Sequence, residues 1–317
     1  MFSVVIPVYY NEASLPQLIS ELKDVDEQLK QALEVVFVID GCKDNSASLL
    51  RRELSTVGFS SKVLVLSRNF GSFAAIRAGF TETSGDLIAV LAADLQEPTT
   101  LLLDFESALL DSESDIAVGV RKSRKDPYLS KLFSNTFWQL YRKIAQPEMP
   151  RGGIDIFACT RQVLDEILKL PESNSSLVGL VVWLGFNRVE VPYERKERQH
   201  GKSGWTLKKK LRYLFDSVYS FSDLPFRILL WLGIAGLIVS LLISFVVFFS
   251  WFFDLITVPG YTVIVLLITC FSALNCIGFG FVGGYLWRTF ENTKARPGFI
   301  IARQWSRPER KGYVNEQ

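Results

Sequence analysis

The sequence is poor in the residues that build zinc sites and histidine-dependent active sites. Its 317 residues include one histidine, His200, and four cysteines with no Cys-x-x-Cys pair. Zinc sites need several such ligands, so we expect no zinc site and we expect the cysteines to be free thiols. His200 completes no metal set, and we interpret it as a loop residue. The cysteines are Cys42, Cys159, Cys270 and Cys276.

An excess of charge of one sign is also lacking. The formal net charge is +2, which excludes a nucleic-acid-binding protein that depends on an overall basic surface. No basic stretch and no cleavage-type sequence accompanies the first residues. We therefore expect no secretory signal peptide, and we expect residues 1–226 to stay in the cytoplasm.

Two long runs contain no charged residue. They comprise residues 228–253 and 261–287, and each is long enough to cross a hydrocarbon core of about 30 Å as a helix. A buried core helix is the alternative, but such a helix is seldom apolar on every side over this length. Lysine and arginine are absent from the connector, residues 254–260, and frequent on both outer flanks. The positive-inside rule therefore predicts a membrane hairpin with both termini cytoplasmic.

The part before these runs alternates between apolar strands and helices. This pattern is typical of a parallel sheet covered by helices on both faces. Ligands bind such sheets at the carboxyl ends of the strands. Asp40 and Asp94 stand at two predicted carboxyl ends, so we expect them to face one crevice. The predicted strands are residues 2–9, 34–40, 62–67, 86–94 and 115–121, and the predicted helices are residues 14–33, 46–54, 72–83 and 99–110.

Four short segments lie, in this order, at the carboxyl ends of the first four predicted strands. They are VVIPVYYNE (residues 4–12), VIDGCKDNS (38–46), LSRNFGSFAAIRAGF (66–80) and AADLQEP (92–98). Together they resemble family 2 glycosyltransferases of the GT-A fold, a Rossmann-like and mostly parallel sheet. The closer resemblance is to polyprenyl-phosphate glycosyltransferases, the group of dolichol-phosphate mannosyltransferase and the bactoprenol glucosyltransferases. It implies inverting transfer of a hexose, with glucose from UDP-glucose first, to undecaprenyl phosphate at the cytoplasmic face of the bacterial inner (plasma) membrane.

The resemblance and the hydropathy pattern divide the chain into four parts. We expect residues 1–205 to be a cytoplasmic GT-A catalytic domain and residues 206–226 a juxtamembrane amphipathic helix. A soluble docking helix is the alternative for the latter. We expect residues 227–288 to be a two-helix transmembrane hairpin and residues 289–317 a basic cytoplasmic tail that is loosely ordered after Arg296.

The resemblance implies that the ends of the first strands bind the nucleotide. The implied residues are Pro7, Tyr9, Glu12, Asp40 and Asp94. Asp40 matches an aspartate that binds the nucleoside base, and the aspartate that usually precedes it is Ile39 here. Glu12 can accept a hydrogen bond from a ribose hydroxyl or a base. A strand–helix turn with Asn11 capping the helix is the structural alternative, and both interpretations are compatible.

The segment AADLQEP resembles the Asp-Ala-Asp-Leu-Gln motif of the family with one carboxylate missing. Asp94 and Gln96 match the second aspartate and the glutamine, while Ala92 stands at the first aspartate. A nucleoside diphosphate carries clustered negative charge, which Mg²⁺ or Mn²⁺ neutralises as the glycosidic bond breaks. Mg²⁺ takes several ligands from phosphates and water, so Asp94 and the amide oxygen of Gln96 suffice in principle. The alternative is a capped turn without a metal.

A phosphate acceptor needs cations and an oriented oxygen. Arg121 follows the fifth predicted strand, and Lys131 and Arg198 match phosphate-contacting residues of the family. Arg198 and Ser203 also fit its Arg-x-x-Gly-x-Ser segment, for which a solvated basic linker is the alternative. Asp155, in RGGIDIFACTR, matches a catalytic carboxylate of the family. Because the second pKa of a phosphate is about 6, its oxygen is mostly ionised at neutral pH and base catalysis is secondary. We therefore expect Asp155 to orient the nucleophile or to assist the metal. The alternative is that Asp155 caps a turn.

Other functions remain open. The same lipid could receive another sugar, such as mannose or a modified arabinose. A processive polysaccharide synthase would carry Gln-x-x-Arg-Trp before its spans, but ARQW (residues 302–305) follows both charge-free runs. The carboxylates missing at Ala92 and Ile39 would also fit a nonenzymatic, nucleotide-binding membrane scaffold. The expected partners are a nucleotide sugar, a polyprenyl phosphate lipid and the membrane. Gly280 and Gly284 have the small-xxx-small spacing that favours close helix contact, within the hairpin or in a homo-oligomer.

Overall fold

A computed structural model of the chain divides it into two compact units. The first comprises Met1–Arg212 with Pro297–Gln317, and the second comprises Tyr213–Arg296. The structure describes residues 1–111, 113–122, 141–143, 146–150, 153–154, 156–170, 176–196, 224–253, 260–294 and 296–307, together with residues 139, 216, 218 and 222.

Within the described residues, the first unit contains one sheet and the helices that cover it. The strands are β1 (Phe2–Val8), β2 (Leu33–Ile39), β3 (Ser60–Leu66), β4 (Leu87–Val90), β5 (Ile116–Arg121), β6 (Phe157–Thr160), β7 (Arg188–Tyr193) and β8 (Ile301–Arg307). The helices are α1 (Leu15–Asp26), α2 (Ser46–Glu53), α3 (Ser72–Thr81), α4 (Leu101–Asp111), α5 (Arg161–Lys169) and α6 (Leu177–Trp183), and a 3₁₀ turn covers Leu54–Thr56.

The sheet confirms the predicted α/β class. Its strand order is β7-β5-β6-β4-β1-β2-β3-β8. The pairs β1–β2, β1–β4, β2–β3 and β5–β7 are parallel. The strands β6 and β8 are antiparallel to their neighbours. Because β4, β1, β2 and β3 are adjacent and parallel, their carboxyl ends lie along one edge of the sheet.

Burial on both faces explains why these segments form central strands. Every residue of β2 is buried, and β1 is buried except for Pro7. On α1, the apolar residues Leu15, Leu18 and Leu22 recur at helical spacing and are buried. Continuously apolar strands under amphipathic helices are what a helix-covered parallel sheet requires.

Two predicted elements end at least four residues too late. Helix α1 ends at Asp26 rather than at Leu33, because Leu33 pairs with Phe2 as the first residue of β2. Strand β4 ends at Val90 rather than at Asp94, which lies in the turn that follows. The apolar residues Leu91, Ala93 and Leu95 are buried after the end of the strand. Their hydrophobicity therefore reflects packing of the turn and not a longer strand.

The prediction of a loosely ordered tail is wrong for residues 301–307. These residues form β8, which pairs antiparallel with β3 at the edge of the sheet. Trp305 packs against the hydrophobic core, and the guanidinium of Arg307 donates to the backbone carbonyl of Leu54. Strand β8 thus covers the edge of β3, which would otherwise present unpaired backbone groups.

The second unit contains two long helices, α7 (Leu224–Phe252) and α8 (Tyr261–Thr293). They approach each other where a Cβ on Gly278 would lie 3.1 Å from the side chain of Leu229. A Cβ on Gly280 would meet no atom within 4 Å. Within the hairpin, the close contact is therefore made at Gly278, and a contact between subunits through Gly280 and Gly284 stays a prediction.

Large apolar side chains are exposed along both helices of the second unit. The most exposed include Trp231, Leu242, Phe245, Phe279, Leu286 and Trp287. Within the part of the chain that the structure describes, no helix combines the length and apolar content that a membrane crossing requires. The predicted juxtamembrane helix, residues 206–226, lies largely outside the described residues.

Candidate active site

Four loops lie along the carboxyl edge of the central parallel strands. They follow β1 (residues 9–14), β2 (40–45), β3 (67–71) and β4 (91–97). The hydroxyl of Ser14 donates to the backbone carbonyl of Ala93 at 2.6 Å and so joins the first loop to the last. This is the edge at which parallel α/β sheets bind their ligands.

Asp40 holds the loop that follows β3. The residue is 3% exposed, and its two carboxylate oxygens accept hydrogen bonds from the backbone N–H groups of Phe70 at 2.7 Å and Gly71 at 2.9 Å. Burial raises the pKa of the Asp40 carboxyl, while these two donors and the charge of Arg68 oppose the rise. Both oxygens are engaged within the protein, and a direct role of Asp40 in binding the base stays a prediction.

Gly41 allows the loops after β2 and β3 to pack backbone against backbone. Its φ is +62°, and a Cβ would lie 2.2 Å from the carbonyl carbon of Arg68 and 2.4 Å from the backbone nitrogen of Asn69. No side chain fits in that space, so the fold requires glycine here. An Asp-Gly pair directly after an apolar strand is the signal in the sequence that points to such a turn.

Glu12 joins the loops after β1 and β2. Its carboxylate accepts from the backbone N–H of Asn45 at 3.0 Å and from the side-chain amide of Asn45 at 3.2 Å. Tyr9 and Tyr10 are 50% and 56% exposed, and their ring centroids lie 4.7 Å apart in an edge-to-face arrangement. Pro7 is partly exposed near the end of β1. The exposed rings are available to a ligand, and the nucleotide-binding roles of Pro7, Tyr9 and Glu12 stay predictions.

Two residues of these loops adopt a left-handed backbone conformation, which residues with a Cβ rarely adopt. Among the described residues these are the only non-glycine examples, Tyr10 at φ +56° and Leu95 at φ +60°. The side-chain oxygen of Asn11 supports the first turn by accepting from the backbone N–H of Tyr9 at 3.0 Å. The residue at the N-cap of α1 is Ser14, so Asn11 does not cap that helix. The side chain of Leu95 is buried and holds the second turn. Strained backbone of this kind concentrates at functional sites.

Arg195 holds the acidic turn that contains Asp94. Its Nη2 donates to Oε1 of Gln96 at 2.7 Å, and its Nε lies 3.5 Å from Oε1 of Glu97, which is 3% exposed. The backbone N–H of Lys196 donates to the carbonyl oxygen of Gln96 at 2.8 Å. The backbone N–H of Gln96 donates to Oδ1 of Asp94 at 3.3 Å. Nothing in the sequence marks Arg195, since it follows β7, a strand that was not predicted.

Within the acidic turn, the carboxylate of Asp94 is the group that best fits a divalent cation, and the predicted metal role of Gln96 stays a prediction. A partly exposed carboxylate such as that of Asp94 is a ligand that Mg²⁺ and Mn²⁺ prefer. The amide oxygen of Gln96 already accepts from a guanidinium, so a metal ion on that oxygen would face the positive charge of Arg195. Ala92 offers no ligand. Across the described residues, no three His, Cys, Asp or Glu side chains form a group that could hold a metal ion.

Arg121 is the predicted acceptor residue that lies within the described part of the chain. It is the last residue of β5 and pairs with Tyr193 of β7. Because β4 and β5 both run antiparallel to β6, Arg121 lies at the same carboxyl edge as Asp94 and Arg195. The remaining predicted residues, Asp155, Lys131, Arg198 and Ser203, lie outside the described residues, and their roles stay predictions.

Comparison with known proteins identifies the family. The model of "Glycosyl transferase family 2" matches residues 3–169. The chain is 31% identical over 316 residues to the "Uncharacterized glycosyltransferase YkcC" of Bacillus subtilis (strain 168), across 99% of this chain and 97% of that protein. It is 30% identical over 308 residues to the undecaprenyl-phosphate 4-deoxy-4-formamido-L-arabinose transferase of Aeromonas hydrophila subsp. hydrophila, across 95% of this chain and 93% of that protein.

A likeness to solved structures extends over most of the chain. The mannosyltransferase PcManGT from Pyrobaculum calidifontis, solved in complex with GDP-Man and Mn²⁺, aligns with 90% of this chain and 87% of its own. The TM-score is 0.47 and the sequence identity is 15%. The family model and the two relatives agree with the motif resemblance, and the chain therefore belongs to glycosyl transferase family 2 and is a glycosyltransferase.

Proposed function

We propose that this glycosyltransferase moves a hexose from a nucleotide sugar to undecaprenyl phosphate, with inversion at the anomeric carbon. Glucose from UDP-glucose is the first candidate donor. The observation that carries the proposal is the hydrogen-bonded set of loops at the carboxyl edge, with the exposed rings of Tyr9 and Tyr10 and the carboxylate of Asp94 on it. The Aeromonas relative, which is 30% identical and named for an undecaprenyl-phosphate acceptor, supports a lipid phosphate as acceptor.

The loops after β1, β2 and β3 bind the nucleotide in this proposal. The exposed faces of Tyr9 and Tyr10 offer stacking surfaces to the base, and Glu12 and Asp40 hold the neighbouring loops in place. Asp94 is the residue that would hold Mg²⁺ or Mn²⁺. When bound, that cation supplies the positive charge that stabilises the departing diphosphate.

The acceptor phosphate attacks the anomeric carbon from the face opposite to the diphosphate. Because its second pKa is about 6, its oxygen is mostly ionised at neutral pH and needs no strong base. Arg121, at the carboxyl end of β5, contributes positive charge for this phosphate. Lys131, Arg198 and Ser203 are the further proposed contacts, and Asp155 orients the acceptor.

We place the reaction at the cytoplasmic face of the bacterial inner membrane. The support is the charge-free sequence of residues 228–253 and 261–287 together with the exposed apolar side chains of α7 and α8. Apolar surface left in water forgoes about 25 cal/mol per Å² relative to an apolar environment, so such helices favour lipid. Basic residues on the outer flanks of both runs favour the cytoplasmic side.

A panel of donors tests the proposal. Membranes that contain the full chain receive undecaprenyl phosphate, Mn²⁺ or Mg²⁺, and one radiolabelled nucleotide sugar that carries glucose, mannose or a modified arabinose. Labelled lipid is then extracted and counted. Asp94→Ala should lower transfer by at least about 100-fold, because it removes the charged group nearest the proposed cation. Asp104→Ala, at an exposed position on α4, is the matched control and should transfer normally.

Each result of the donor panel tests a different part of the proposal. The absence of labelled lipid with every donor would refute the proposed acceptor reaction. Unchanged transfer by Asp94→Ala would remove Asp94 from the mechanism. Label from mannose or the arabinose derivative alone would keep the acceptor and replace glucose as the donor sugar.

A further inference from the structure

Three polar groups of Gln96 form hydrogen bonds, one within its own turn and two with the segment that follows β7. Its backbone N–H donates to Asp94, its carbonyl oxygen accepts from the backbone of Lys196, and its Oε1 accepts from Arg195 at 2.7 Å. The turn follows β4, whereas Arg195 follows β7, and these strands are not neighbours in the sheet. The contact is therefore a tertiary one that fixes the shape of the acidic turn.

Arg195 makes two contacts with different consequences. One is the ion pair with Glu97, whose residue is 3% exposed and whose charge would be strongly destabilising without a cation beside it. The other is the hydrogen bond to Gln96, which the charge balance of Glu97 does not require. The second contact uses the one oxygen of the Gln96 side chain that a metal ion could bind.

We propose that Arg195 is a positioning residue of the donor site. It binds the amide oxygen of Gln96 and leaves Asp94 as the ligand that the turn offers to a divalent cation. In this way Arg195 lowers the affinity of the free site for that cation. The inference rests on the proposed function, because the cation serves the donor diphosphate. A fixed positive charge beside the turn opposes a second cation. The negative charge of the diphosphate offsets that opposition, so metal and nucleotide bind together.

Mn²⁺ alone is the probe that tests this inference. The purified full chain is titrated with Mn²⁺, and bound metal is followed by water-proton relaxation, which needs no turnover. Asp94→Asn should raise the Kd for Mn²⁺ at least about 10-fold, whereas Gln96→Ala should leave it within about 2-fold. Arg195→Met should lower the Kd about 3- to 10-fold because it removes a nearby positive charge, and Arg195→Lys should restore it.

A matched control comes from the other end of β7. Arg188 also forms an ion pair, with Nη2 lying 2.7 Å from Oε2 of Glu148, but it is the first residue of the strand rather than a residue after its end. Arg188→Met should leave the Kd for Mn²⁺ unchanged. Circular dichroism of each variant shows whether it is folded, and Gln96→Ala and Arg195→Lys carry the test if Arg195→Met does not fold.

Three results would overturn the inference. Loss of Mn²⁺ affinity in Gln96→Ala equal to that in Asp94→Asn would show that Gln96 is a ligand. Weaker Mn²⁺ binding by Arg195→Met would show that its charge does not oppose the metal. An unaltered chain that binds no Mn²⁺ even in the presence of UDP would remove the site. Sugar transfer on the same preparations separates the two proposals. Variants that bind Mn²⁺ as expected in a chain that transfers no sugar would refute the proposed function and leave this inference standing.

Discussion

Replacing Gly41 with alanine tests whether the contact between the loops after β2 and β3 shapes the donor site. A Cβ at this position would lie 2.2 Å from the carbonyl carbon of Arg68 and 2.4 Å from the backbone nitrogen of Asn69. Both are backbone atoms, which cannot rotate away as the end of a side chain can. Ordinary contact begins at 3.4 Å. The two loops would therefore have to separate by roughly 1 Å.

That separation acts on the hydrogen bonds of Asp40. Its bonds to the N–H groups of Phe70 and Gly71 are 2.7 and 2.9 Å long, and about 1 Å more takes both beyond hydrogen-bonding distance. A hydrogen bond to a charged group contributes about 1.5–3 kcal/mol, and a left-handed conformation costs an alanine about 1–2 kcal/mol. We expect Gly41→Ala to lower the free energy of unfolding by at least about 4 kcal/mol and to raise the KM for the nucleotide sugar.

Gly185→Ala is the matched control for this prediction. Gly185 also has a positive φ, +73°, but a Cβ there would meet no atom within 4 Å. Gly185→Ala should lower the free energy of unfolding by only about 1–2 kcal/mol, through backbone strain, and its KM for the nucleotide sugar should not change. Urea unfolding followed by circular dichroism gives the free energies, and initial rates at varied donor concentration give KM. Equal destabilisation of the two variants, with an unchanged KM in Gly41→Ala, would refute the reasoning.

One buried residue, Glu34, and two partly buried residues, Cys42 and Trp305, give further expected outcomes. Burial of Glu34 favours its neutral form, but hydrogen bonds from two serines and Lys62 outweigh that effect and lower its pKa below the usual 4.5. The stabilisation that ionised Glu34 contributes is therefore present above about pH 4.5 and lost as the pH falls through the lowered pKa. At neutral pH, Glu34→Gln should unfold at a lower urea concentration than the unaltered chain. The difference between the two should shrink below about pH 4. Burial raises the pKa of the Cys42 thiol to about 11, so iodoacetamide at about pH 8 should alkylate Cys42 about 100-fold more slowly than an ordinary thiol, as measured by peptide mass spectrometry. Trp305→Ala should lower the free energy of unfolding in urea by about 2–3 kcal/mol, because it removes the ring with which β8 packs on the core.

Each of these expectations has a contrary result. A urea difference for Glu34→Gln that does not change with pH would show that this carboxyl does not titrate with folding. Rapid alkylation of Cys42 in the folded chain would show that its thiol is accessible and acidic. Unchanged stability of Trp305→Ala would show that β8 adds nothing to the sheet. Glu27→Gln is the control for the pH series of Glu34→Gln, because the side chain of Glu27 is exposed after the end of α1.

The parallel sheet and the position of Asp40 could be predicted from the sequence. Strand β2 is fully buried and apolar apart from Glu34, and Asp40 lies at its carboxyl end, as predicted. The position of Asp94 could not be predicted in the same way. Leu91, Ala93 and Leu95 are buried in a turn, and burial in a turn and burial in a strand leave the same apolar pattern in the sequence.

The antiparallel strands were not predictable because their partners are distant in the chain. Strand β6 inserts between β4 and β5, and β8 joins β3 after the two long helices of the second unit. The charges and polar side chains of IARQWSR (residues 301–307) are typical of an exposed tail, and its burial pattern shows that most of this strand stays exposed even in the sheet. The pairing that orders it comes from the open edge of β3.

Local composition determined, from the sequence alone, which segments are apolar strands, which runs lack charge, and the order of the glycosyltransferase motifs at the strand ends. Only the tertiary structure decided that Asp40 holds the loop after β3, that Arg195 binds the side-chain oxygen of Gln96, and that β8 closes the edge of the sheet. The physical reason is that each of these contacts joins segments far apart in the chain. Their distances depend on how all the elements between them pack, which no local pattern encodes.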